Sequence, residues 1–121
     1  MGLTYGTHKG PLTRTAGAAI EFGQALKKGD ADNKVVPCVL ATDVAIYVAG
    51  DSAALGDPVP VLTLGSAETT VLVLATGVIG VGDAVGVLGA AVASGLHIGR
   101  ALEPAVAGEL FEIDPTTCAT L

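Results

Sequence analysis

Glycine and proline punctuate this chain so often that few long regular elements fit between them: 17 Gly and 6 Pro are spread over 121 residues. The glycines follow no three-residue period, which excludes a collagen-like helix and leaves tight turns as their role. From residue 18 onward, short apolar runs alternate with turn signals, the pattern of a β-sandwich or barrel. The length fits one domain.

The apolar half of the composition is almost entirely Ala, Val, Leu and Ile. Hydrophobic residues make up 50% of the chain but aromatics only 3%, with no Trp, two Tyr and two Phe. Each aromatic side chain buries about 150–250 Å², so a core without them gains less transfer energy per position. A mean hydropathy of +0.64 with 15% charged residues, against a usual charged share of about 25%, implies apolar surface that meets another subunit. A homo-oligomer is expected.

Charge excludes several partners. The net charge is −6 with six Lys and Arg in all, whereas nucleic-acid phosphates need clustered cations and an anionic membrane needs a polybasic patch. Residues 71–96 carry one charge, Asp83, and are long enough to cross a bilayer. Six glycines, the Gly82-Asp83 turn signal and the lack of Trp, Tyr, Lys or Arg at either edge argue against a span. No basic stretch followed by a compact apolar one opens the chain, so no secretory leader is expected and Met1 reads as a native start. Cys38 and Cys118 lack any C-x-x-C pairing and are expected as buried free thiols, with neither a zinc nor a redox role.

Along the chain, residues 1–17 hold Thr, Gly, His, Lys, Pro and Arg with little periodicity and read as an extended arm, disordered alone or ordered against a neighbour. A β-rich domain is expected over 18–115 and a tail over 116–121. Strands are expected at 18–22, 24–28, 35–41 and 44–48, followed by a loop at 50–57. Residues 59–64 carry Pro58 and Pro60 at their start and read as an edge strand, since proline cannot donate to a ladder. The unbroken apolar run 69–75 reads as a central strand buried on both faces. Further strands are expected at 84–88, 90–93, 96–102 and 109–113, with a break around Pro104 and an end at Asp114-Pro115. Residues 16–28 also fit a helix by composition. At most one short helix is expected, and no internal repeat stands out.

No catalytic constellation is recognisable. Ser52, Ser66 and Ser94 sit in no G-x-S-x-G elbow, and Asp51-Ser52 with His97 reads as turn chemistry rather than a relay. Gly80, Gly82 and Gly86 miss the dinucleotide-loop spacing by one position, and Asp83 would repel phosphates. His8 and His97 have no ligand-spaced partner, and Asp30, Asp32 and Asn33 supply too few oxygens for calcium. Glu103, Glu109 and Glu112 read as a solvated rim. No cofactor, metal or catalytic residue is expected, and the protein reads as a non-enzyme.

The last third of the chain resembles the small bacteriophage capsid cement (decoration) proteins. The residues that carry the likeness are Gly82-Asp83-Ala84-Val85, Ile98-Gly99-Arg100-Ala101-Leu102-Glu103 and Ala107-Gly108-Glu109-Leu110-Phe111-Glu112-Ile113. The resemblance implies an all-β domain, a β-barrel or jelly-roll-like sandwich, made in the host cytoplasm and bound to the outer surface of the virion capsid. It implies a homo-oligomer, a trimer before a dimer, that bridges major capsid protein subunits and stabilises the shell. Leu3, Tyr5, His8, Pro11, Leu12 and Arg14 of the arm, with Val59 and Val61 of the expected edge, are the candidate capsid or subunit contacts. The alternative is a small-molecule or peptide-binding β-barrel whose apolar residues line a cavity.

Overall fold

A computed structural model describes residues 12–31, 33–64 and 70–121. Nine strands and no helix form among the described residues. Strands β1 (Leu12–Ala16), β2 (Ala25–Lys28), β3 (Lys34–Pro37), β4 (Tyr47–Ala49) and β5 (Pro58–Thr63) close a barrel in the order β1-β3-β2-β4-β5. Strands β6 (Val71–Leu74), β7 (Ala84–Gly86), β8 (Leu96–Ala101) and β9 (Leu110–Thr120) form a second sheet in the order β6-β9-β8-β7. The expected all-β barrel is therefore present, in a two-part form rather than as a jelly roll. The pairing of β1 with β3 is parallel and the other ladders are antiparallel.

Side-chain alternation places two apolar clusters. Ala16, Ile20, Leu26, Val35, Ala49, Val59 and Val61 fill the barrel interior. Each fully buried Val, Leu or Ile contributes about 1.5–3 kcal/mol of transfer energy. The larger cluster joins Ala25, Ala45, Val48 and Leu64 of the barrel's outer side to Val73, Val87, Ile98, Phe111, Ile113 and others of the second sheet. The two parts thus share a core.

Several local expectations are corrected. Of the expected arm, residues 1–11 lie outside the described residues, while Leu12–Ala16 is a barrel strand paired on both sides. The 16–28 helix does not form, and residues 18–22 make only a single bridge, Ile20 to Ala53, before β2. The 59–64 strand is internal, because β5 pairs with both β1 and β4. Its prolines are tolerated for a geometric reason. The Pro60 carbonyl accepts from Gly50 N–H (2.8 Å) on the β4 side, so the N–H that Pro60 lacks faces the same side, where β4 has ended at Ala49.

The 69–75 run is an edge strand rather than a central one. Val71 and Val73 are buried while Leu72 is exposed, so one face is covered and the unbroken apolar run conceals an alternation. Residues 38–46 form a connection instead of two strand ends. There the Asp43 carboxylate accepts the N–H groups of Val39 and Leu40 (3.0 Å each) and pairs with Lys27 (3.0 Å). Residues 90–93 contribute one bridge, Ala91 to Val85. At the end, β9 passes through Asp114-Pro115 to Thr120, so the expected 116–121 tail is largely strand. The apolar stretch 71–96 folds into β6, β7 and their turns. No helix of the described residues is long and apolar enough to cross a membrane.

The fold contains an internal duplication. The pairs Leu12–Val61 and Arg14–Val59 of β1 and β5 recur as Val71–Ile113 and Val73–Phe111 of β6 and β9. Likewise Ala49–Val61 and Val48–Leu62 recur as Ala101–Ile113 and Arg100–Asp114, and Ala25–Val48 recurs as Ala84–Arg100. Even β3 has a counterpart. The Gly17 N–H bond to Val35 (2.8 Å) and the Cys38 N–H bond to Ala25 (3.0 Å) match Thr76 to Gly89 (3.1 Å) and Val92 to Ala84 (2.9 Å). The β2–β3 hairpin is simply shorter in the second unit.

Each unit uses the same turn twice, at 20–24, 53–57, 79–83 and 105–109. The fourth residue is Gly23, Gly56, Gly82 or Gly108, all at φ between +85° and +90°. The fifth, Gln24, Asp57, Asp83 or Glu109, donates its N–H to the carbonyl of the second residue (3.0–3.2 Å). In three copies its side chain also accepts that residue's N–H, at 2.8–2.9 Å. The turns pair across each unit through Ile20–Ala53 and Ile79–Ala105.

Candidate interaction surfaces

The structure separates the expected contact residues. Leu3, Tyr5, His8 and Pro11 lie outside the described residues, and Leu12 is placed in β1 by its backbone. Val59 and Val61 are each 0% exposed inside the barrel. They are core residues and present nothing to a partner, a correction that follows from β5 being internal. Of the candidates whose side chains are described, Arg14 alone sits at an accessible position.

The residues weighed for chemistry hold turns and ladders. Ser52 Oγ accepts Phe22 N–H (3.1 Å) and its own N–H donates to Asp51 Oδ1 (2.8 Å), with no relay to His97. His97 Nδ1 lies 2.9 Å from the Ala119 carbonyl and so donates to it. Glu112 Oε2 accepts from Thr70 Oγ1 (2.7 Å) and Glu109 caps a turn. Asp32 and Ser66 lie outside the described residues, and among the described residues no three His, Cys, Asp or Glu gather at a metal-binding distance.

Cys38 and Cys118 are free and half-buried rather than buried. Burial, then the nearby Asp43 carboxylate, pushes the Cys38 thiol up to about 11, which suppresses the thiolate that reacts. Among the described residues the barrel interior is occupied by side chains, since Leu26, Val35, Val59 and Val61 are fully enclosed there.

Two kinds of surface stand out. The first is aliphatic. Val78 (78% exposed) and Val106 (53%) lie opposite one another beside the Ile79–Ala105 bridge, with Val81 (68%) and Leu102 (46%) around the same turns. Val78 and Val106 correspond to Ala19 and Ala54 of the first unit, whose own tip exposes Leu55 (70%) instead. Val39, Leu40 and Val44 of the β3–β4 connection, with Leu88 of the second unit, add further exposed apolar surface. Contiguous apolar surface of this kind marks interaction sites.

The second surface is cationic and lies at the mouth of the first unit's barrel. Arg14, Lys28, Asn33 and Lys34 ring a cleft of about 310 Å³ floored by Val35, Ile46 and Tyr47. The Arg14 guanidinium stands over the Tyr47 ring at 5.6 Å from its centroid, a cation–π arrangement. Its donors reach only neutral acceptors, Thr13 O (3.2 Å), Asn33 Oδ1 (3.3 Å) and Tyr47 Oη (3.5 Å). Among the described residues, no carboxylate pairs with Arg14, Lys28 or Lys34. The sequence reading singled out Arg14 but missed its companions, because Lys28 and Lys34 join it only through the β2–β3 hairpin and the parallel β1–β3 pairing.

No protein-family model matches the chain, and no curated protein does. Among solved structures the chain is similar to the "head fiber gp8.5 N base in bacteriophage phi29", with a TM-score of 0.68 and 23% identity. The match covers 89% of this chain and 94% of that one.

Proposed function

We propose that this protein is a non-enzymatic structural component of a bacteriophage virion, bound to the outside of the assembled capsid. The observation that carries the reading is the fold likeness to a phage head-fibre base over nearly the full length of both chains. It agrees with the resemblance of the last third to capsid cement proteins, which rests on different information. The surface chemistry supports the same reading: Ser52, His97, Glu109 and Glu112 are engaged in turns and ladders, while exposed valines and leucines and a cationic cleft remain for partners.

In this role the protein forms a homo-oligomer, a trimer in preference to a dimer, and bridges neighbouring major capsid proteins. A ligand that binds only the assembled lattice shifts the equilibrium away from disassembly, and weak contacts repeated by symmetry add up without any reacting group. The test is to heat or chelate shells with and without saturating protein. Shells that disassemble at the same temperature in both cases would remove the stabilising role.

A further inference from the structure

The duplication shows what the mouth of this barrel is for in the second unit. Its mouth positions matching Arg14, Lys28, Lys34 and Val35 are Val73, Val87, Leu88 and Gly89. Over these the first unit is seated. Gly23, Ala25, Cys38 and Val39 of the first unit line a cleft together with Val73, Val87, Leu88 and Gly89 of the second. Leu74 N–H donates to the Gly23 carbonyl (3.0 Å), and Ala25 and Val48 join the same apolar cluster as Val73 and Val87. An aliphatic mouth thus receives an aliphatic protein surface.

In the first unit no described residue covers the same mouth, and the aliphatic positions have become Arg14, Lys28 and Lys34. We propose that this mouth is a docking socket for an acidic segment of a partner protein, an Asp or Glu side chain flanked by an aliphatic residue. The inference rests on the virion reading only for the partner's identity, which would then be the capsid protein.

Three arguments fix the chemistry of the occupant. Three of the chain's six Lys and Arg converge on this one cleft while the chain carries −6 overall. Arg14 is held in place by Tyr47 and Asn33 yet meets no carboxylate among the described residues. The planar guanidinium suits bidentate carboxylate recognition, and the accessible surfaces of Ile46 and Tyr47 in the cleft suit an aliphatic neighbour. An extended polyanion is disfavoured, because its charge beyond the socket meets a net-negative protein.

Amide chemical shifts of the full-length protein test this directly. The probes are a short Glu- and Leu-containing peptide, inorganic phosphate and a DNA duplex, each titrated at equal ionic strength. The peptide is expected to shift Arg14, Asn33, Lys34 and Tyr47 saturably, with affinity lost at least about tenfold in K28E/K34E and weakened by salt. Both lysines are exposed side chains, so this variant is expected to keep the fold, checked by a spectrum that matches wild type away from the cleft. Equal shifts with phosphate or duplex would make this a general anion site and overturn the proposal, as would peptide shifts elsewhere or none.

Binding to shells separates the two readings. Wild type and K28E/K34E pelleting equally with shells would sink the socket and leave the virion role standing. Wild type that binds the peptide at the mouth but never shells would do the reverse.

Discussion

Alanine placed in turn at Gly23, Gly56, Gly82 and Gly108 would measure the duplication and the seating of one unit on the other in a single experiment. All four share the left-handed backbone, with φ of 89°, 87°, 85° and 90°, so each variant bears the same conformational cost of about 1–2 kcal/mol. Their surroundings differ. A Cβ at Gly56, Gly82 or Gly108 meets nothing within 4 Å, whereas at Gly23 it lies 2.6 Å from Leu74 N and 2.7 Å from Leu110 Cδ2.

The Leu110 contact can rotate away, but the backbone one cannot move without displacing β6 from the first unit. Overpacking of this kind adds about 1–3 kcal/mol, giving about 2–5 kcal/mol for Gly23→Ala against about 1–2 for the other three. In urea, with a slope of about 1–3 kcal/mol per molar for a small protein, the Gly23→Ala midpoint falls clearly below the rest while the slope is unchanged. Four equal midpoint shifts would refute the packing of Gly23 against Leu74, and no shift at Gly56, Gly82 or Gly108 would refute the shared turn geometry.

Other outcomes follow from single contacts. Phe111→Ala removes the largest fully enclosed side chain and should cost about 3–5 kcal/mol, read as a lower urea midpoint. Val61→Asp should abolish folding, seen as loss of β-sheet circular dichroism, rather than yield a folded protein defective only in association; a folded, shell-deficient variant would restore Val61 to an interface. At pH 8, Cys38 should alkylate about a hundredfold more slowly than an unperturbed thiol, because its ionisation lies near 11 rather than 9.0. The same shift makes stability fall as pH rises past 9, since the folded state resists losing the thiol proton; Cys38→Ser should flatten that limb of a pH–stability curve. Asp43 acts oppositely. The N–H groups of Leu40 and Val39, then Lys27, hold its carboxyl below the usual range, so its contribution is present above the ordinary carboxylate range and is lost as pH falls through its folded value. Asp43→Asn should reduce the acid-side loss in a pH titration of stability.

The fold class was legible because it depends on turn frequency and aliphatic content, which survive without knowing the pairing. The site was far less so. Pro58 and Pro60 pointed to an edge, yet the missing N–H of Pro60 faces the side on which β4 has ended, a fact only the register supplies. The 71–74 strand looked buried on both faces because its exposed Leu72 and half-buried Leu74 are as apolar as the buried Val71 and Val73. Hydrophobicity marks the core only where the surface is polar, and here an outward surface is itself apolar.

The duplication escaped for a related reason. The identical positions, Ala16/Ala75, Ile20/Ile79, Gly23/Gly82, Ala25/Ala84, Ile46/Ile98, Ala49/Ala101, Ala53/Ala105 and Gly56/Gly108, are scattered and are mostly Ala and Gly, which recur throughout the chain, and the shortened second hairpin breaks any fixed period. Polar identity diverges at the first unit's mouth, where Arg14 corresponds to Val73 and Lys34 to Leu88. Those are the positions that carry the proposed docking chemistry.

The central claim is that this protein binds an assembled phage shell, and co-sedimentation of the purified full-length chain with empty shells of its source phage tests it most directly. The account predicts saturable pelleting at a fixed ratio to the capsid protein, with none when the capsid protein is unassembled. Protein that stays in the supernatant at every shell concentration would contradict it.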